Sequence, residues 1–110
     1  MTIDNAAVVD SAGIDKKTGD VVLTISDHLS WHDEATHFRY LELKIGKYIE
    51  FVKSGQLTDA VPGAFGRPVR ISLIYQYPPS PSAAEVLSAV ARQLDIFKIG
   101  FSHGTLPVGY

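Results

Sequence analysis

The residues best suited to chemistry lie together in the run Asp27-His28-Leu29-Ser30-Trp31-His32-Asp33-Glu34-Ala35-Thr36-His37, which holds three of the chain's four histidines. His28 and His32 are four apart, the spacing that turns two imidazoles toward one metal ion on a helix face, and Asp33 or Asp27 would add a carboxylate oxygen. The candidate polar cluster is therefore Asp27, His28, Trp31, His32, Asp33 and His37, with His28, His32 and Asp33 as its metal-ligating version. Two features argue against a metal. A zinc-hydrolase helix carries Glu directly after its first His, and here Leu29 follows His28. His37 lies five positions beyond His32, about 140° round a helix of ~3.6 residues per turn. The expectation is a structural corner, with no metal and no cofactor. Asp27 ends a strand and accepts backbone N–H groups in a turn, His28 anchors the strand-to-helix corner, and Trp31 buries its ring there with its indole N–H bonded.

Other motifs offer less. Gly63-Ala64-Phe65-Gly66-Arg67 has the glycines of a phosphate loop, but such a loop follows a strand and opens a helix, whereas this one follows a helix and enters a strand. It reads as a turn with Phe65 plugging the core edge and Arg67 solvated or paired. No serine lies in a Gly-x-Ser-x-Gly elbow. The chain has no cysteine, which excludes disulfides and thiolate chemistry. Asp33 and Glu34 fit the first turn of a helix, where the dipole favours negative charge.

The elements that must position these residues follow from apolar spacing. Ala7 to Ile14 is a strand candidate, Asp15 to Asp20 a turn with a glycine, and Val21, Leu23 and Ile25 alternate on a second strand. A helix is expected from Ser30, with Asp33 completing a capping box and Phe38, Leu41, Ile45, Tyr48 and Val52 forming its stripe. Glu42, Lys44, Lys47, Glu50 and Lys53 fall on other faces, and Gly55 is the stop. After a loop over 56–68, Val69, Ile71, Leu73, Tyr75 and Tyr77 alternate, and Ile74 on the opposite side marks this strand as central. Ser82 to Glu85 reads as a second capping box, opening a helix with Val86, Leu87, Val90, Ala91 and Leu94 on its stripe. Phe97, Ile99 and Phe101 form the last strand. The expected fold class is α+β: a two-layer sandwich, a four-stranded mixed sheet with two helices on one face, in the order β-β-α-β-α-β. One domain over residues 1–110 is expected, with its core at about 7–101 and a tail from Ser102 that carries His103.

Composition bounds the class of protein. Apolar residues make up 45 % and charged residues 20 % of the 110, as in a globular chain. No basic-then-apolar leader and no bilayer-length apolar run is seen, so the expectation is a cytoplasmic protein without a membrane role. Residues 1–34 carry seven acids and two lysines, while residues 39–70 carry six bases and three acids. That is a mild dipole rather than a basic footprint, so nucleic acid is not an expected partner.

The run from Ile14 through Ser26-Asp27-His28-Leu29 resembles the opening of a family of small uncharacterised bacterial proteins. So do Glu34 to His37, Tyr48-Ile49-Glu50-Phe51-Val52-Lys53-Ser54-Gly55-Gln56 and Gly66-Arg67-Pro68-Val69-Arg70-Ile71. The likeness spans about residues 8–79, with an Ile-Ser-Asp-His-Leu motif before the first helix, and departs at His32, where an acidic residue is expected. It implies a compact bacterial domain and brings no activity, cofactor or partner.

Two classes of function remain. The favoured one is a non-catalytic protein-interaction module, homo-oligomeric or resembling an inhibitor of a toxic enzyme that presents its acidic N-terminal third. Phe51, Tyr75, Tyr77 and Tyr110 are its interface candidates, because the aromatics outnumber the places in so small a core. The alternative is a metal-dependent or small-ligand-binding enzyme using His28, His32, Asp33 and His37.

Overall fold

A computed structural model describes residue 3 and residues 9–105. It is an α+β fold with a mixed four-stranded open sheet and three helices. The elements are β1 (Ser11–Ile14), β2 (Val21–Asp27), α1 (Glu34–Lys53), α2 (Gln56–Ala60), β3 (Val69–Tyr75), α3 (Pro81–Ile96) and β4 (Ile99–Thr105). The strands lie in the order β1-β2-β3-β4. β1 pairs antiparallel with β2, and β2, β3 and β4 run parallel. β3 is central, as the apolar residue on its second face predicts.

The Asp15–Asp20 turn closes the first hairpin as expected. Gly19 supplies the left-handed residue at φ 77°, and Asp15 takes the Lys17 N–H at 2.8 Å. The period-two pattern puts Val21, Leu23, Ile25, Ile71, Leu73, Tyr75 and Ile99 on one buried sheet face. Leu41, Ile45 and Tyr48 of α1 and Leu87 and Leu94 of α3 join them in one core. On the other sheet face the register sets Ser11, Thr24, Ser72 and Ser102 in a row across all four strands, with Val22, Arg70 and Ile74 on the same face.

Several expectations need correction. Val9 and Asp10, expected in the first strand, precede β1, and β3 ends at Tyr75, before Tyr77. α1 begins at Glu34 rather than Ser30, because Asp33 itself caps the helix and accepts the Thr36 N–H at 3.2 Å. α3 begins at Pro81, since Ser80 takes the Ala83 N–H at 3.2 Å and proline suits the first helical position. A short helix, α2, occupies what reads as loop: Gly55, left-handed at φ 86°, ends α1 and lets the chain restart. The last strand runs from Ile99 to Thr105, so residues expected to form the tail, His103 among them, lie in the sheet.

The buried face of α1 is also turned relative to the expected stripe. It comprises His37, Leu41, Lys44, Ile45 and Tyr48, while Phe38 and Val52 are half-buried at its margin. Lys44 therefore points inward, contrary to the outward face assigned by its charge.

Candidate functional site

The strand-to-helix corner is built by side chains whose local chemistry holds it in place. At the end of β2, Asp27 turns the chain by accepting the Leu29 N–H at 3.1 Å through Oδ1. Its other oxygen, Oδ2, lies 2.5 Å from His37 Nε2 in the first turns of α1. His37 Nδ1 donates to the Ser30 carbonyl at 3.0 Å. Trp31 stacks on the His37 ring at 3.7 Å between centroids and 14° between planes. The Trp31 indole N–H crosses to the Tyr77 carbonyl at 2.8 Å, and Gln76 N–H bonds the Asp27 carbonyl at 2.8 Å. The corner thus ties the ends of β2 and β3 to the start of α1.

A proton count follows from the partners. The Ser30 carbonyl can only accept, so Nδ1 bears hydrogen. A carboxylate oxygen and a ring nitrogen at 2.5 Å need one further proton between them. The pair is an imidazolium–carboxylate ion pair or its neutral equivalent, with no net charge. Both residues are buried, Asp27 at 3 % and His37 at 1 % exposure. With both ring nitrogens engaged and one ring face covered by Trp31, the imidazole has no edge to offer a substrate or a metal.

The cluster drawn from the sequence is only partly assembled. The structure brings Asp27, Trp31 and His37 together. His28 and His32 are exposed and Asp33 is spent as the α1 cap, so the anchor role assigned to His28 belongs to His37. Among the described residues, no group of three or more His, Asp or Glu side chains converges as metal ligands would. Of the aromatic interface candidates, Tyr75 is core at 6 % exposure, its hydroxyl 2.9 Å from His103 Nδ1, because the odd positions of β3 face the helices. Phe51 is half-buried, Tyr77 is exposed, and Tyr110 lies outside the described residues. Phe65 does not plug the core: it is 87 % exposed, and Ala64 fills that place at 4 %. Arg67 is paired, donating to the Gly63 and Gly19 carbonyls.

A second polar network has no counterpart in the sequence reading. Lys44 Nζ meets Asp10 Oδ1 at 2.7 Å. Asp10 Oδ2 accepts the Ser26 N–H at 3.0 Å. The Asp10 N–H donates to the Tyr48 hydroxyl at 2.9 Å, and that hydroxyl donates to the Thr24 carbonyl at 2.7 Å. Burial pushes the Tyr48 phenol well above its ordinary value. The signal was available in the spacing, since Lys44 is three positions from Leu41 and four from Tyr48.

The acids of the N-terminal third are likewise used within the chain. Asp15 and Asp20 face Arg70, and Glu34 accepts from the hydroxyls of Ser80 and Ser82 at the start of α3. With Asp10, Asp27 and Asp33, every described acid up to residue 34 has a partner inside the protein.

What stays open is apolar. A groove of about 650 Å³ runs between α1 and α3, with Phe38, Ile45 and Ile49 on one wall and Val86 and Val90 on the other. Glu42, Lys47, Glu50 and Gln93 rim it. Leu43 beside it is 54 % exposed. Among the described residues no helix is long and apolar enough to cross a membrane.

Fold and corner together define a small α+β protein in which Asp27, Trp31 and His37 close on one another. The chain belongs to a family of unknown function, DUF6572, whose model matches residues 1–107. No curated protein and no solved structure matches it.

Proposed function

We propose that this chain is a non-catalytic protein-interaction module, one domain on a two-layer frame, whose α1–α3 groove receives an amphipathic helix of a partner protein. The observation that carries this reading is the contrast between the closed corner and the open groove. The polar residues that would do chemistry are saturated by one another, whereas apolar walls enclosing about 650 Å³ face outward.

The shape of the groove supports a helical guest. From Phe38 to Glu50 the α1 wall runs twelve positions, about 18 Å at ~1.5 Å per residue, the length of some three helical turns. Its rim carries charges of both signs, including the Lys47–Glu50 pair at 3.6 Å, which suits a guest with a mixed polar flank rather than a polyanion. Gly46 sits on the groove with nothing within 4 Å of an added Cβ, so no intrachain contact requires a glycine there. A mid-helix glycine without such a need fits close approach by another backbone. An inhibitor that presents its acidic third is the less favoured form, because those acids already have partners.

The test is site-specific photo-crosslinking in cells with benzoylphenylalanine at Leu43 or Ala89, with exposed Asp59 as the control. Discrete protein adducts at 43 and 89, absent at 59, are expected. Adduct patterns indistinguishable from the control at both groove positions would remove the reading.

A further inference from the structure

We infer that two copies of this chain pair edge to edge through β4, antiparallel about a two-fold axis at Ser102, joining two four-stranded sheets into one. Self-pairing is one form of the interaction function proposed above and rests on it, but it uses a different surface.

Among the described residues, nothing blunts the free edge of β4. It pairs with β3 on one side and has no strand neighbour on the other among the described residues. Proteins usually protect such edges with proline, lysine, bulges or brevity. β4 is seven residues long, pairs in unbroken register with β3, and contains no proline and no Asp, Glu, Lys or Arg. The opposite edge, β1, has only four residues.

The partner is argued from the order of residues along the strand. A two-fold interface must be self-complementary, each residue meeting its symmetry mate's counterpart. Ile99-Gly100-Phe101-Ser102-His103-Gly104-Thr105 has that property about its centre. In an antiparallel pair centred on Ser102, β-branched Ile99 faces β-branched Thr105 of the second copy, Gly100 faces Gly104, and Phe101 faces His103. Directly opposed residues share a sheet face, so Phe101 and His103 meet on the helix side, where the first is half-buried and the second exposed. The strand carries no formal charge that would oppose its own copy.

The glycines add an independent observation. Neither Gly100 nor Gly104 has positive φ. A Cβ at Gly100 would meet Arg70 only at ordinary contact distances, the nearest 3.6 Å, and one at Gly104 would meet nothing within 4 Å. Neither is demanded by a contact among the described residues, and strand glycines of this kind mark close approach of another backbone.

The register makes the test sharp, because the chain has no cysteine of its own. Opposed Cα atoms in antiparallel strands are about 4.5–5.5 Å apart, within reach of a disulfide. Sedimentation equilibrium of the full chain is expected to give twice the 12.0 kDa chain mass, and Ser102→Lys is expected to return one chain mass with an unchanged circular dichroism spectrum. On mild oxidation Ser102→Cys should cross-link to itself. Gly100→Cys and Gly104→Cys should cross-link when mixed but not alone, since each is displaced about 14 Å from its own copy at ~3.4 Å per residue. A single-chain mass at millimolar concentration, or cross-linking of Gly100→Cys alone as efficient as that of Ser102→Cys, would overturn the pairing. If the mass is that of one chain while Leu43 still forms discrete adducts, the dimer fails and the interaction reading stands. If both fail, the two readings fall together.

Discussion

Lys44 and Asp10, 34 positions apart, form a 2.7 Å ion pair with side chains 0 % and 2 % exposed, joining the inner face of α1 to the segment that leads into β1. Lys44→Met leaves the buried Asp10 carboxylate without the ammonium it meets, at a cost of about 3–5 kcal/mol. Lys44→Met and Asp10→Asn are each expected to lower the urea midpoint strongly, and the double variant to lose less than their sum. Strict additivity in a double-mutant cycle would show that the pair is not coupled.

Asp27→Ala removes the acceptor for His37 Nε2 and for the Leu29 N–H in one step. The expected loss is about 2–4 kcal/mol, from buried donors left without their acceptor, whereas His28→Ala and His32→Ala, both exposed, are expected to change stability by no more than about 0.5 kcal/mol. Equal effects from His28→Ala and His37→Ala in thermal unfolding would contradict the assignment of His37 as the anchor.

The cap of α1 makes stability depend on acid. The Thr36 hydroxyl, and next its backbone N–H, donate to Asp33 and hold its carboxyl below the ordinary carboxylate value. A depressed value in the folded state means that the contribution is present above the unfolded value and is lost as pH falls through the folded one. Asp33→Asn keeps a capping oxygen but cannot titrate. It is expected to match the wild type near neutrality and to show a flatter decline below about pH 4. Parallel acid limbs in denaturant titrations at a series of pH values would refute this.

Gly46→Ala separates stability from binding. Nothing lies within 4 Å of the added Cβ, so the isolated protein should gain about 0.8–1.0 kcal/mol from helix propensity. The same methyl raises the groove floor, and adduct yield from benzoylphenylalanine at Leu43 should fall. A variant that gains stability with full adduct yield would place the guest elsewhere.

Much of the frame was legible because it depends on periodic burial. Alternation marks β2 and β3, and the half-buried Ile74 on the second face agrees with the inner position of β3 in the sheet. Helix starts were misread by a few positions, at Ser30 and Ser82, because several residues competent to cap stand close together and the tertiary path decides which one does. The inward place of Lys44 is not read from its charge, although its spacing fits the inner face, because its partner Asp10 lies 34 positions away before β1. The corner shows the same limit. The right residue types were visible, but the choice of His37 over His28 depends on where α1 begins, and that depends on Asp33.

The parallel register has a kinetic consequence. Val21 aligns with Val69, so the central β2–β3 ladder joins positions 48 apart, and no turn can nucleate it. The β1–β2 hairpin and the β3–α3–β4 unit close over short stretches of chain and are free to form early. The β2–β3 ladder has the longer loop to close, and its closure is expected to limit refolding. Slowed refolding should therefore track substitutions at Leu23, Leu41 and Ile71, whereas changes in β1 should act mainly on the rate of opening.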